Sequence, residues 1–148
     1  NAAVLTVQSA YTAWLAGFPG LSDTTAAGDP DHDGIPNLAE HGFTLDPTTP
    51  AVTGLPTVAS AGNHLQITFR CDSARTGVVY SVEASSNLAA GSWTEIARST
   101  GGTMTVDVGG GTTAISDSGT GLRSVTVTDA VLLDDGTPTR FLRVRLAQ

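Results

Sequence analysis

Leu65-Gln66-Ile67-Thr68-Phe69-Arg70-Cys71 is the stretch that decides the fold. Its odd-numbered positions are apolar and its even-numbered ones polar, the two-residue period of a strand with one face buried. The same period recurs downstream. Tyr80, Val82 and Ala84 alternate with Ser81, Glu83 and Ser85. Residues 92–98 form another strand around Trp93 and Ile96, and Met104, Val106 and Val108 alternate with Thr103, Thr105 and Asp107. Val125 and Val127 alternate with threonines, and Leu142, Val144 and Leu146 with Arg143 and Arg145. Gly109-Gly110-Gly111 and Asp134-Asp135-Gly136 are the plainest turns between them. About seven such strands predict a mainly β fold, an antiparallel β-sandwich over residues 63–148.

Upstream the period changes. Val4, Val7, Tyr11, Trp14 and Leu15 fit one face of a short helix within residues 3–16, which Gly17, Pro19 and Gly20 stop. Pro36 to Phe43 can make about two more helical turns, with Leu38 and Phe43 packing towards Trp14 and Leu15. Residues 1–50 therefore read as a small helical module, 51–62 as a Pro/Gly-containing linker, and the sandwich follows.

Between the two helices lies Asp29-Pro30-Asp31-His32-Asp33-Gly34-Ile35-Pro36-Asn37-Leu38-Ala39-Glu40. Carboxylates fall at loop positions one, three, five and twelve, glycine at six and asparagine at nine, the ligand spacing of an EF-hand-type calcium loop. Ca²⁺ takes six to eight oxygens, and a tight loop brings alternate side chains to one point. Asp29, Asp31, Asp33, the backbone carbonyl of Ile35, Asn37 (directly or through water) and a bidentate Glu40 are the expected ligands. Three aspartates within five residues repel one another unless a cation lies between them.

Composition narrows the partners. The 148-residue chain has a formal charge of −7, and all seven of its cations are arginine. An acidic chain with dispersed bases is a poor nucleic-acid binder, because phosphate neutralisation needs a basic patch. Without lysine, lysine–asparagine isopeptide cross-links are excluded. No apolar run approaches a membrane span, and the start at Asn1, with no signal-peptide pattern, reads as a fragment or mature segment. Cys71 alone forms no internal disulfide, and its place on the apolar face makes it a buried inert thiol.

Catalytic chemistry finds no positive support. Glu83 and Glu95 lie on separate strands, with Glu83 on the solvated face. His32, His41 and His64 lack zinc-ligand spacing, no serine occupies a GxSxG turn, and Gly109-Gly110-Gly111 lacks the ending of a phosphate loop. Arg70, Arg143 and Arg145 are expected along one outer sheet face, with Glu83 and Asp107 as partners, a salt-bridged exposed face in preference to an anion or sugar-acid site. Trp14 reads as core, and Trp93 is the more open candidate for stacking on a sugar ring.

Asp29, Asp31, Asp33-Gly34, Glu40 and Asp46-Pro47-Thr48 together resemble the bacterial thrombospondin type 3 repeat, a DxDxDG loop with a short acidic helix and a trailing DPT. The resemblance covers about 22 residues and implies Ca²⁺ held by Asp29, Asp31, Asp33, Asn37 and Glu40. Relatives often carry tandem copies, whereas this chain has one. A wider similarity, through Tyr11-x-x-Trp14, the acidic loop, LQITFR, YSVEASSNLAAGSW and the final RFLRVRLAQ, is to the C-terminal regions of large secreted proteins of Verrucomicrobia-type bacteria. It implies a fibronectin type III-like sandwich, an Ig-like architecture, in an extracellular or cell-surface setting. Glu40-His41-Gly42-Phe43 departs from the Glu-Tyr-x-Leu-Gly that follows the loop in many relatives.

The expectation is a non-catalytic, calcium-stabilised C-terminal accessory domain serving attachment, display or spacing. Two alternatives stay open. One is a carbohydrate-binding module of an extracellular enzyme, with a glycan as partner. The other is a self-associating adhesin subunit or secretion-sorting domain, with another surface protein as partner.

Overall fold

A computed structural model describes residues 8–133 and 139–148. Val4, Leu5 and Val7 of the expected first helix, and the Asp134-Asp135-Gly136 turn, lie outside the described residues. Two short helices precede the strands: α1 (Ala10–Leu15) and α2 (Asn37–Phe43). The strands are β1 (Thr57–Ala61), β2 (His64–Asp72), β3 (Val79–Ser85), β4 (Thr94–Thr100), β5 (Val106–Asp107), β6 (Thr112–Ser118), β7 (Leu122–Leu132) and β8 (Phe141–Ala147). They form two four-stranded antiparallel sheets, β1-β2-β7-β6 and β5-β4-β3-β8. The chain is a β-sandwich, as the alternation predicts.

The register puts the alternating apolar residues between the sheets. Ile67, Phe69 and Cys71 of β2 pair with Val127, Val125 and Arg123 of β7. Tyr80, Val82 and Ala84 of β3 pair with Leu146, Val144 and Leu142 of β8. Ile67, Phe69, Cys71, Tyr80, Val82, Ala84, Val125 and Val127, with Val78, Ile96 and Ala97, belong to one core cluster, against which Leu142, Val144 and Leu146 pack. Phe69 and Tyr80 stack across the sheets with centroids 6.0 Å apart. Truncating such a ring to alanine costs about 3–5 kcal/mol, so Phe69→Ala would remove much of a typical domain's stability.

Two strands escape the sequence reading. Residues 57–61, read as linker, are β1, and Thr112–Ser118 is β6. Both lie at an edge of the same sheet, largely exposed, and so carry small or hydroxyl side chains instead of an apolar alternation. The strand expected over 103–108 shrinks to two residues, and Met104 and Val106 are exposed.

The helical segment shares the sandwich core. Phe43 of α2 belongs to the core cluster, and the buried Tyr80 hydroxyl donates to the Gly42 carbonyl at 2.8 Å. A side chain at Gly42 would meet Leu146 of β8 at 2.8 Å, so glycine sets how closely α2 approaches the sheet. The ring that meets α1 is His41, whose centroid lies 5.1 Å from that of Trp14 and 5.4 Å from that of Tyr11. Phe43 points into the core instead of towards Trp14, because the two positions lie on different sides of so short a helix.

Candidate metal centre

The acidic loop is built by its own carboxylates. Asp29 accepts the Asp33 N–H on Oδ1 at 3.2 Å and the Gly34 N–H on Oδ2 at 2.9 Å. Asp31 Oδ1 accepts the Asp33 N–H at 3.3 Å, and Asp33 Oδ1 accepts the Ile35 N–H at 2.7 Å. That bond fixes the backbone beside the nominated Ile35 carbonyl. Gly34 takes φ +87, a left-handed conformation that glycine adopts without a Cβ clash. His32 also has positive φ, and its side chain faces solvent. Asp33 Oδ2 accepts the Ala51 N–H at 2.7 Å, tying the loop to the segment that leads into β1.

Each of Asp29, Asp31 and Asp33 offers one carboxylate oxygen within 4.8 Å of the other two. Glu40 stands outside that trio, in the first turn of α2. It is fully buried, and neither of its oxygens meets a donor. Asp31 Oδ2 and Asn37 Oδ1 are orphaned in the same way. Four buried acceptors without a donor on one twelve-residue loop are unusual, since a buried polar atom without a partner costs about 1–3 kcal/mol, more if charged. Burial, and then the charges of Asp31, Asp33, Asp29 and Asp46, push the Glu40 carboxyl up to about 7. Burial likewise raises Asp31, against the opposing Asp33 N–H bond. The atoms in excess are all oxygens, a donor set that fits a hard cation such as Ca²⁺.

Asn37 has a second task that the spacing does not reveal. Its amide Nδ2 donates to the carbonyls of Asp23 and Thr25, both at 2.9 Å, leaving Oδ1 as the free acceptor. Pro36 provides no side-chain cap for α2. The Asn37 N–H donates instead to the Gly28 carbonyl at 2.8 Å, and the Leu38 N–H to that of Ala26 at 3.0 Å. The 23–28 loop thus satisfies a helix start that would otherwise have orphaned donors. A side chain at Gly28 would meet Asp23 Cγ at 2.6 Å and Asn37 Nδ2 at 2.9 Å. At the other end, Thr44 closes α2 in the left-handed conformation, and Leu45 N–H donates to the Glu40 carbonyl.

His41 is fully buried between Tyr11 and Trp14, and neither ring nitrogen has a well-formed hydrogen bond. Burial and, secondarily, the Arg75 charge bring its pKa down to about 4. His64 meets the Asp129 carbonyl at 2.8 Å, so the histidines share no site.

The expected arginine face does not exist as one surface. Arg70 lies on β2 and Arg143 and Arg145 on β8, in opposite sheets. The β8 pair does meet Glu83, at 2.6 Å from Arg143 and 3.8 Å from Arg145. Asp107 instead accepts the Gly110 and Thr112 N–H groups and closes the turn that carries the chain from β5 in one sheet to β6 in the other. Glu83 and Glu95 are cross-strand neighbours, but Glu95 lies 3.5 Å from Arg98, so each carboxylate is tied to an arginine. The Arg143 guanidinium covers one face of Trp93 at 4.0 Å from the ring centroid. That face is closed to a sugar.

A polar cluster inside the sandwich was not legible in the sequence. Arg123 pairs with Asp117 at 3.0 Å and also donates to Cys71 Sγ at 3.1 Å and Met104 Sδ at 3.2 Å. The thiol sits under this guanidinium, fully buried, and burial raises its pKa. Among the described residues no helix is long and apolar enough to cross a membrane. No family model, characterised protein or solved structure matches this chain.

Proposed function

We propose that this chain is a non-catalytic, calcium-stabilised accessory domain of a secreted or cell-surface protein, serving attachment, display or spacing. The observation that carries the calcium reading is the set of buried, donorless oxygens on Asp31, Asn37 and Glu40 beside the three-aspartate cluster. Asp29, Asp31, Asp33 and Glu40 would hold the ion, with Asn37 Oδ1 and the Ile35 carbonyl completing an all-oxygen shell. A bound cation neutralises the like charges that otherwise destabilise the loop. The chain's own contacts carry that effect onward, through Asp33 to Ala51 and through α2 to Tyr80 and Leu146. The placement in a secreted or surface protein rests on the resemblance to the thrombospondin type 3 repeat and to Verrucomicrobia-type secreted proteins, which also suggests the fibronectin type III-like character of the sandwich.

Thermal unfolding in calcium and in EDTA tests the reading. The melting temperature is expected to fall in EDTA, and Asp31→Ala to abolish the difference. Identical melting curves with and without calcium would sink it.

A further inference from the structure

Six of the seven arginines lie within 4.0 Å of a carboxylate: Arg75, Arg98, Arg123, Arg140, Arg143 and Arg145. Arg70 meets none among the described residues, although acids outnumber bases fourteen to seven in this chain. The nearest acid along its own strand face, Asp72, is engaged by Arg75 and by the Ala74 N–H. Arg70 is not a stray surface charge. It lines a pocket of about 210 Å³ with Gly54, Leu55, Thr57, Thr68 and Ser124. Gly54, at φ +88, brings the loop close to the guanidinium: a Cβ there would lie 3.6 Å from Arg70 Nη1.

The register explains the rest of the lining. Thr57 pairs with Thr68, Thr68 with Thr126 and Arg70 with Ser124, so one outer sheet face presents hydroxyls around a single cation. The guanidinium's fork matches a carboxylate through two parallel hydrogen bonds. Hydroxyls suit a polyhydroxylated ring, and Leu55 offers one apolar wall. We infer that this pocket binds a carboxylate-bearing sugar, a uronate residue, with Arg70 on the carboxylate and Thr57, Thr68 and Ser124 around the ring. The site is separate from the acidic loop and does not depend on the calcium reading.

The test is an NMR titration of the calcium-saturated protein with a galacturonate trisaccharide. Shifts are expected at Arg70, Thr57, Thr68 and Ser124, with no response to neutral cellotriose. Arg70→Gln, at an exposed position, is expected to weaken binding tenfold or more, and Arg98→Gln to leave it unchanged. No shift, shifts centred on residues 29–40, or equal loss in Arg98→Gln would overturn the assignment. So would an equal response to a sulfated disaccharide, or binding of an acetylated tripeptide carboxylate in place of the trisaccharide.

Discussion

In the sandwich, Asp117 and Asp129 are buried, and each meets an arginine: Arg123 at 3.0 Å and Arg140 at 2.5 Å. In the acidic loop, Asp31 and Glu40 hold buried oxygens that meet no donor at all. The sandwich carries its own counter-charges, and the loop carries none. Burying a charge is costly unless it is paired. The sandwich acids therefore find their counter-charge within the chain, although Asp117 Oδ1 itself meets no donor, whereas on the proposed reading the loop acids take theirs from a bound cation.

The comparison breaks most visibly at Arg123. Arg123→Ala strands Asp117 and should cost about 3–5 kcal/mol in urea unfolding, by the same amount with calcium or EDTA. A calcium-dependent loss would show that the two regions are not separate. Next in size is the removal of calcium. At a hundredfold excess over Kd the ion adds about 2.7 kcal/mol, a melting shift of roughly 5–11 °C for a chain this size. Glu40→Gln should stabilise the stripped protein, by removing a buried like charge, while it erases most of the calcium increment. Equal destabilisation with and without calcium would instead make Glu40 a structural residue only.

Acidity separates the regions further. In the metal-free protein Glu40 titrates at about 7, above its ordinary 4.5. A raised carboxyl contributes stability that is present below pH 4.5 and lost as pH rises through 7. The EDTA effect should accordingly be larger at pH 8 than at pH 5, and calcium affinity should weaken below pH 7 as protons compete. His41 works in the opposite direction. Its pKa is depressed to about 4, so its contribution is present above pH 6.5 and lost as pH falls towards 4. His41→Phe should flatten that acid limb in the calcium-loaded protein, as followed by thermal melts.

Smaller effects sharpen the picture. Gly28→Ala pushes a methyl into Asp23 and Asn37, and about 1–3 kcal/mol is expected, together with weaker calcium binding in titration. Arg143→Ala removes a half-exposed ion pair and the cover over Trp93. It should cost no more than about 1 kcal/mol in urea unfolding, with no calcium dependence.

What was legible in the sequence follows from where the chemistry is local. Ile67, Phe69 and Cys71 announce their strand because one face meets a core. The residues of β1 and β6 do not, because edge strands bury little and their side chains are chosen by solvent. The acidic loop is legible because coordination spacing is local. Asn37 was read as a ligand alone, and its bracket to Asp23 and Thr25 was hidden because it depends on a loop that folds back twelve to fourteen residues away. Arg123 alternates correctly onto the inner face, but its partners Asp117, Cys71 and Met104 are brought in by other strands and loops. The two arginine faces separate for the same reason: strand order is a long-range property, and alternation cannot assign a strand to a sheet.

The central claim is that the loop acids take their counter-charge from a bound cation and the sandwich acids from the chain's own arginines. Isothermal titration of metal-stripped protein with calcium chloride, alongside Asp31→Ala and Arg123→Ala, tests it most directly. The account predicts one ion per chain, binding lost in Asp31→Ala, and binding retained in whatever fraction of Arg123→Ala remains folded. No binding at millimolar calcium, or binding indifferent to Asp31→Ala, would contradict it.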